Sequence, residues 1–252
     1  MADCMIVPSS GGTRHQARFV VLVDADAHLL FTLAMLLQRF SYHVCTAKTG
    51  EEALEMITVA VPSLVITALV LPGMSGLDLL NRLRQDPRTQ SVPVIALTTG
   101  DGASEVRTRS VRAGFAACLQ RPVAAEELYR AVQHAVEPTP RSNIRLYSQI
   151  PVTVNGVILN WGGGECASVL SEHGMYIRTL APSPVSTVLA LGFTVNGRMI
   201  ALEAMVLYGH RLGEGPFGEP GMGLKFLRIS AEDGEHIRQF IRDAITKGIE
   251  AA

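Results

Sequence analysis

Along the first half of the chain, apolar residues fall in short unbroken runs. FVVLVDAD (19–26) is such a run ending in acids, and HLLFTLAMLLQRF (28–40) after it has the length and composition of a helix. The alternation continues. VCTA (44–47), SLVITA (63–68), VPVIALT (92–98) and AACL (116–119) predict further strands. Glu51 to Ile57, LDLLNRLRQ (77–85), residues 103–113 and AEELYRAVQHAV (125–136) predict helices, with Thr49 placed to cap the one at Glu51. Strands that are apolar throughout and alternate with helices of about 10–15 residues predict a parallel sheet covered on both faces. The expected class is therefore α/β: a doubly wound five-stranded parallel sheet.

EPTPRSN (137–143), with two prolines, marks a boundary, and the pattern changes beyond it. VTVNGVIL (152–159), MYIRTL (175–180), TVLALGFTV (187–195), MIALEAMVLYGH (199–210) and GLKFLRI (223–229) read as short strands between glycine-rich turns. Asn-Gly at 155–156 and 196–197 is a strong hairpin signal, because both central residues tolerate positive φ. This half is expected to be an antiparallel β-barrel or sandwich. Ser230 and Asp233 resemble a capping box opening one last helix, to about Ile249. The organisation expected is a flexible segment over 1–17, an α/β domain over 18–136, a linker over 137–145 and a β-barrel domain over 146–252.

Composition narrows the function classes. With 252 residues, 48% of them hydrophobic and 18% charged, the chain has material for two soluble domains. A formal net charge of -1 gives no electrostatic footprint for nucleic acid or an anionic membrane. No run approaches the roughly 20 apolar residues of a membrane span, and MADCMIVPSSGG lacks the pattern of an export signal, so a cytoplasmic location is expected. Cys4, Cys45, Cys118 and Cys166 are far apart and form no C-x-x-C pair, which favours single buried thiols over a zinc site or disulfides. His173 and His210 have no companions at ligand spacing, so no metal is expected there.

VLVDAD, LVITALVLPGMSGLDLL, VPVIALTT and CLQRPV, in that order and register over residues 18–136, make the first half resemble the receiver domain of two-component response regulators. In that family an aspartate closing the third strand attacks a phosphoryl group. A divalent cation on an acidic pair and a lysine on the fifth strand offset the charge, and a threonine or serine on the fourth senses the product. Carried over, the resemblance places Asp24 at the first acid, Ala25 at the second, Ala68 at the nucleophile, Thr98 at the sensor and Arg121 at the lysine. Asp26 and Thr67 cannot make good the losses, because successive strand residues point to opposite faces. The site is read as a degenerate phosphorylation site on a pseudo-receiver. A plainer reading stands beside it, in which Asp24 and Asp26 cap the following helix. Cys118 stands where the family often has a switching aromatic. The face of the fourth helix, fifth strand and fifth helix, which receivers use for dimerisation or partner contact, has a basic fourth helix in Arg107, Arg109 and Arg112.

Arg141-Ser-Asn-Ile-Arg145, VLSEHGMYI (169–177) and GMGLKF (221–226) make residues 141–249 resemble a PilZ domain, a small β-barrel family whose known ligand is cyclic di-GMP. The family pattern is R-x-x-x-R followed by D/N-x-S-x-x-G. An arginine fork pairs bidentately with phosphate or with guanine O6 and N7, and its plane stacks on a purine. Arg141, Arg145, Ser171 and Gly174 match; Val169 stands where an acid or amide belongs. The loss is worth about 1–3 kcal/mol, or roughly ten- to hundredfold in affinity. Two readings follow: weakened binding, or none, with the arginines left as a solvated hinge.

GEGPFG (213–218) matches G-x-G-x-x-G without the helix that motif must open, and GGGE (162–165) lacks the lysine of a phosphate loop. Trp161 is read as a barrel-end residue. No nucleophile, base and orienting acid converge, so no enzyme is expected. The expected function is bacterial signal transduction: a phosphorylation-independent pseudo-receiver coupled to a PilZ-like domain that binds cyclic di-GMP weakly and relays by protein–protein contacts. No cofactor is expected, and the partners are other signalling proteins or a second copy through the receiver. The alternative is a ligand-independent adaptor in which both domains act only through their surfaces.

Overall fold

The computed structural model describes residues 19–99, 103–159, 164–214 and 218–248. The expected lead-in over 1–17, Cys4 and Trp161 lie outside them. The backbone clusters into two compact units, residues 19–146 with 241–248, and residues 147–240.

In the first unit β1 (Phe19–Val23), β2 (His43–Ala47), β3 (Leu64–Ala68), β4 (Val94–Thr98) and β5 (Ala117–Gln120) alternate with α1 (Ala27–Arg39), α2 (Gly50–Val59), α3 (Gly76–Gln85), α4 (Ala103–Arg112) and α5 (Ala125–Val136). The sheet order is β2-β1-β3-β4-β5, every pair parallel. Val20 to Val23 and Leu64 to Ile66 are wholly buried, as strands covered on both faces must be. Each helix start has its own device. The Asp26 carboxylate accepts the N–H groups of His28 and Leu29, Thr49 accepts that of Glu52, and Ser75 and Asp78 form a reciprocal capping box. Leu79, Leu80 and Leu83 put one face of α3 into the core, while Arg82 and Arg84 lie toward its last turn, where cations suit the helix dipole.

In the second unit β6 (Leu146–Ile150), β7 (Val152–Val154), β8 (Val157–Ile158), β9 (Cys166–Ser171), β10 (Gly174–Arg178), β11 (Val188–Val195), β12 (Arg198–His210) and β13 (Gly221–Arg228) form one curled antiparallel sheet. Its order is β6-β9-β10-β13-β12-β11-β7-β8. Both Asn-Gly pairs turn hairpins in the left-handed region, at φ 51° and 79° for residues 155–156 and 45° and 76° for 196–197. Alternate residues of β11 point inward, and Phe193 stacks on Phe226 at 6.1 Å. Ladder irregularities at Tyr176/Ile177, Glu203/Ala204 and Val206/Tyr208 accompany the curl. The sequence pattern does not single out β6 or β9: LYSQI carries two polar residues, and CASVLS shows no alternation, being buried from Cys166 to Leu170.

α6 (Ala231–Thr246) opens on Ser230, whose hydroxyl accepts the Asp233 N–H at 3.0 Å. It stops three residues before the expected Ile249. Arg39 donates to the terminal carbonyls of Ala244, Ile245 and Lys247, and Gly248 takes φ 73°, so the last turn is closed by a cation and a left-handed glycine.

Candidate functional site

The carboxyl edge of the parallel sheet is where open α/β folds place their chemistry. Ala68 ends β3 and is 3% exposed, and the start of α3 approaches its backbone carbonyl. A Cβ on Gly76 would lie 2.2 Å from the Ala68 carbonyl oxygen, which is why PGMSG ends in glycine. Thr67 is wholly buried and gives its hydroxyl to the Ala68 carbonyl at 3.1 Å, so it takes no place in the pocket.

The acids after β1 divide their work. Asp26 caps α1, as the plainer reading has it. Asp24 does something else: it is 3% exposed, its Oδ1 accepts the Asp26 N–H at 2.9 Å, and its Oδ2 is ion-paired with the Arg121 guanidinium. Ala25 between them is exposed. Arg121 follows β5, donates its N–H to the Thr98 carbonyl at 2.9 Å and precedes a cis Pro122. Its side chain is 20% exposed, its Nε has no acceptor among the described residues, and burial draws its pKa below the ordinary value. Thr98 is half-buried and Cys118 buried. The structure thus brings Asp24, Ala68, Thr98 and Arg121 to one edge and leaves Ala25 in solvent. The Asp24–Arg121 pairing is not legible in the sequence, since 97 residues separate the two.

The face formed by α4, β5 and α5 carries a groove of about 830 Å³, lined among others by Arg107, Leu119, Glu127, Arg130 and His134. Arg107, Arg109 and Arg112 are exposed.

The two halves of the R-x-x-x-R and D/N-x-S-x-x-G pattern fall in different units. Arg141 and Arg145 cluster with the first. Both are exposed, and neither guanidinium meets a partner among the described residues. The backbone is anchored beneath them, the Arg141 N–H donating to Gln133 Oε1 at 3.2 Å. Ser171 and Gly174 belong to the second unit, at the β9–β10 turn. The Ser171 hydroxyl donates to the Gly174 carbonyl at 3.0 Å, and a Cβ on Gly174 would lie 2.2 Å from the Leu224 carbonyl oxygen. Val169 is buried, opposite Tyr176.

Sequence patterns also miss a polar cluster at one end of the second unit. Arg178 pairs with Glu219 at 2.6 Å and donates to the Gly164 carbonyl. Tyr176 gives its hydroxyl to the Glu219 carbonyl, and burial pushes its phenol up to about 12. The His210 ring sits 5.0 Å from that of Tyr208, a packing role. Of the cysteines, Cys118 and Cys166 are buried, whereas Cys45 is only half-buried. Burial pushes the Cys166 thiol up. Among the described residues no three His, Cys, Asp or Glu side chains are grouped to hold a metal, and no helix is long and apolar enough to cross a membrane.

Comparison with known proteins finds a family match in each half of the chain. The model of the response regulator receiver domain matches residues 20–133, and that of the PilZ domain matches residues 139–243. An uncharacterized 14.6 kDa protein of Leptolyngbya boryana is 32% identical over 114 residues, 45% of this chain and 86% of that one. Response regulator PleD of Caulobacter vibrioides is 30% identical over 117 residues, 46% of this chain; the match spans only 25% of PleD. Protein PilH of Pseudomonas aeruginosa is 26% identical over 113 residues, 45% of this chain and 93% of PilH. A crystal structure of a putative response regulator from Chloroflexus aurantiacus, 30% identical, covers 48% of this chain and 98% of its own with a TM-score of 0.46.

Proposed function

Because the chain belongs to the response regulator receiver family and carries a PilZ domain behind that receiver, it is a signal-transduction protein, and we propose that it responds to cyclic di-GMP without phosphoryl transfer. Both domain types are typically non-catalytic signalling modules, and PilZ domains are associated with this ligand. The observation that carries the proposal is the pair Arg141 and Arg145: two exposed guanidiniums, four residues apart, with no partner among the described residues. A guanidinium kept free of carboxylates is available to phosphate oxygens and guanine edges. The dianion then orders the segment that holds them, and the change is passed to a partner protein, or to a second copy, through the α4-β5-α5 groove.

The test is calorimetric titration of the full chain with cyclic di-GMP. Saturable binding is expected, and its loss is expected in R141A/R145A. No heat and no saturation with the unsubstituted chain rejects the proposal.

One observation favours the adaptor reading. Ser171 and Gly174 each have a structural duty that needs no ligand, the serine bracing its own turn and the glycine admitting the β13 backbone. Under that reading R141A/R145A leaves partner binding and signalling unchanged.

A further inference from the structure

We propose that Arg121 is the resident cation of the sheet's carboxyl edge: lying in the room that alanine at 68 leaves, it fixes that edge in a single state and shuts out the divalent ion of the receiver family. This rests on the reading that the unit works unphosphorylated, and gives it a physical cause.

Topology makes the first argument. Asp24 follows β1 and Arg121 follows β5, and in the order β2-β1-β3-β4-β5 two strands stand between them. Three strand spacings come to about 14 Å. Twist shortens the gap, but the guanidinium still reaches Asp24 only by lying across the ends of β3 and β4, over Ala68 and Thr98. A methyl at 68 permits that crossing. A carboxylate there would itself meet the guanidinium.

The second argument is the ligand count. A magnesium-like ion needs near-octahedral oxygen ligands at about 2.0–2.1 Å. Both oxygens of Asp24 are engaged, one by the Asp26 N–H and the other by Arg121. Turning Asp24 toward a metal would undo the turn on which Asp26 caps α1. Ala25 and Ala68 offer nothing, and Asp26 is spent on the cap. Among the described residues the site has donor capacity left over instead, in the buried Arg121 Nε. The residues present therefore do not fit a divalent cation. Losing the arginine would leave Asp24 buried and uncompensated, the costly way to break such a pair.

The experiment uses the full chain and Mn²⁺ as a paramagnetic probe, with thermal unfolding alongside. The unsubstituted chain is expected to bind no Mn²⁺ up to millimolar concentrations and to keep its Tm in Mg²⁺ or chelator. A25D/A68D, which restores the family's carboxylates, is expected to bind Mn²⁺ at least tenfold more weakly than A25D/A68D/R121K. R121A is expected to lower Tm, and R121A/D24N to regain most of that loss because the orphaned charge has gone. Equal Mn²⁺ affinity in the arginine and lysine backgrounds overturns the proposal, as does Mn²⁺ binding by the unsubstituted chain. The metal comparison stands whether or not R121A folds. Stable phosphoryl labelling of the unsubstituted chain would instead sink the unphosphorylated reading, a separate failure from metal binding without label.

Discussion

At the scale of single residues, the motif positions hold side chains whose duties differ from those their spacing suggests. Gly76 is the sharpest case. It opens α3, where alanine is ordinarily better than glycine by about 1 kcal/mol. Here the added Cβ would stand 2.2 Å from the Ala68 carbonyl oxygen, a backbone atom that cannot move without β3. Overpacking of that kind costs about 1–3 kcal/mol, which exceeds the propensity gain. Gly76→Ala is therefore expected to destabilise the chain in urea unfolding; a rise in midpoint would show that the loop before α3 relaxes freely.

At the scale of elements, the helices begin where side chains cap them, and the α3 box is the most complete. The Ser75 hydroxyl accepts the Asp78 N–H at 3.1 Å, while Asp78 Oδ2 accepts both the hydroxyl and the N–H of Ser75. Ser75→Ala is expected to cost about 1 kcal/mol in chemical denaturation. It should also change the acid limb. The hydrogen bonds from the Ser75 side chain and backbone hold the Asp78 carboxyl below its ordinary 3.8. A carboxylate with a depressed folded pKa stabilises the native state above its unfolded value, and the contribution is lost as pH falls through the folded one. Acid unfolding of Ser75→Ala should thus begin at higher pH than that of the parent; coincident curves would mean that the box carries no linkage.

At the scale of the whole molecule, the proposed ligand and a phosphodonor are expected to act differently on stability. A ligand that binds only the native state stabilises it by about 2.7 kcal/mol at a hundred times its Kd. Cyclic di-GMP at that excess is expected to raise the unfolding midpoint of the full chain, and acetyl phosphate with Mg²⁺ to leave it unmoved. A shift with acetyl phosphate would overturn the reading that the receiver unit works unphosphorylated.

The sequence by itself determined the parallel α/β unit and its five strands, both Asn-Gly hairpins and the alanines at 25 and 68, because these are written in local periodicity, turn chemistry and residue identity. β6 and β9 were hidden, since neither shows a clean alternation of apolar and polar residues. Only the tertiary structure decided that Asp24 pairs with Arg121 while Asp26 caps, that Ala25 faces solvent, and that Gly174 is held by a backbone carbonyl of the distant strand β13. The reason is reach: strand order brings together groups that lie far apart along the chain, and no local pattern records which of two neighbouring acids a remote guanidinium will meet.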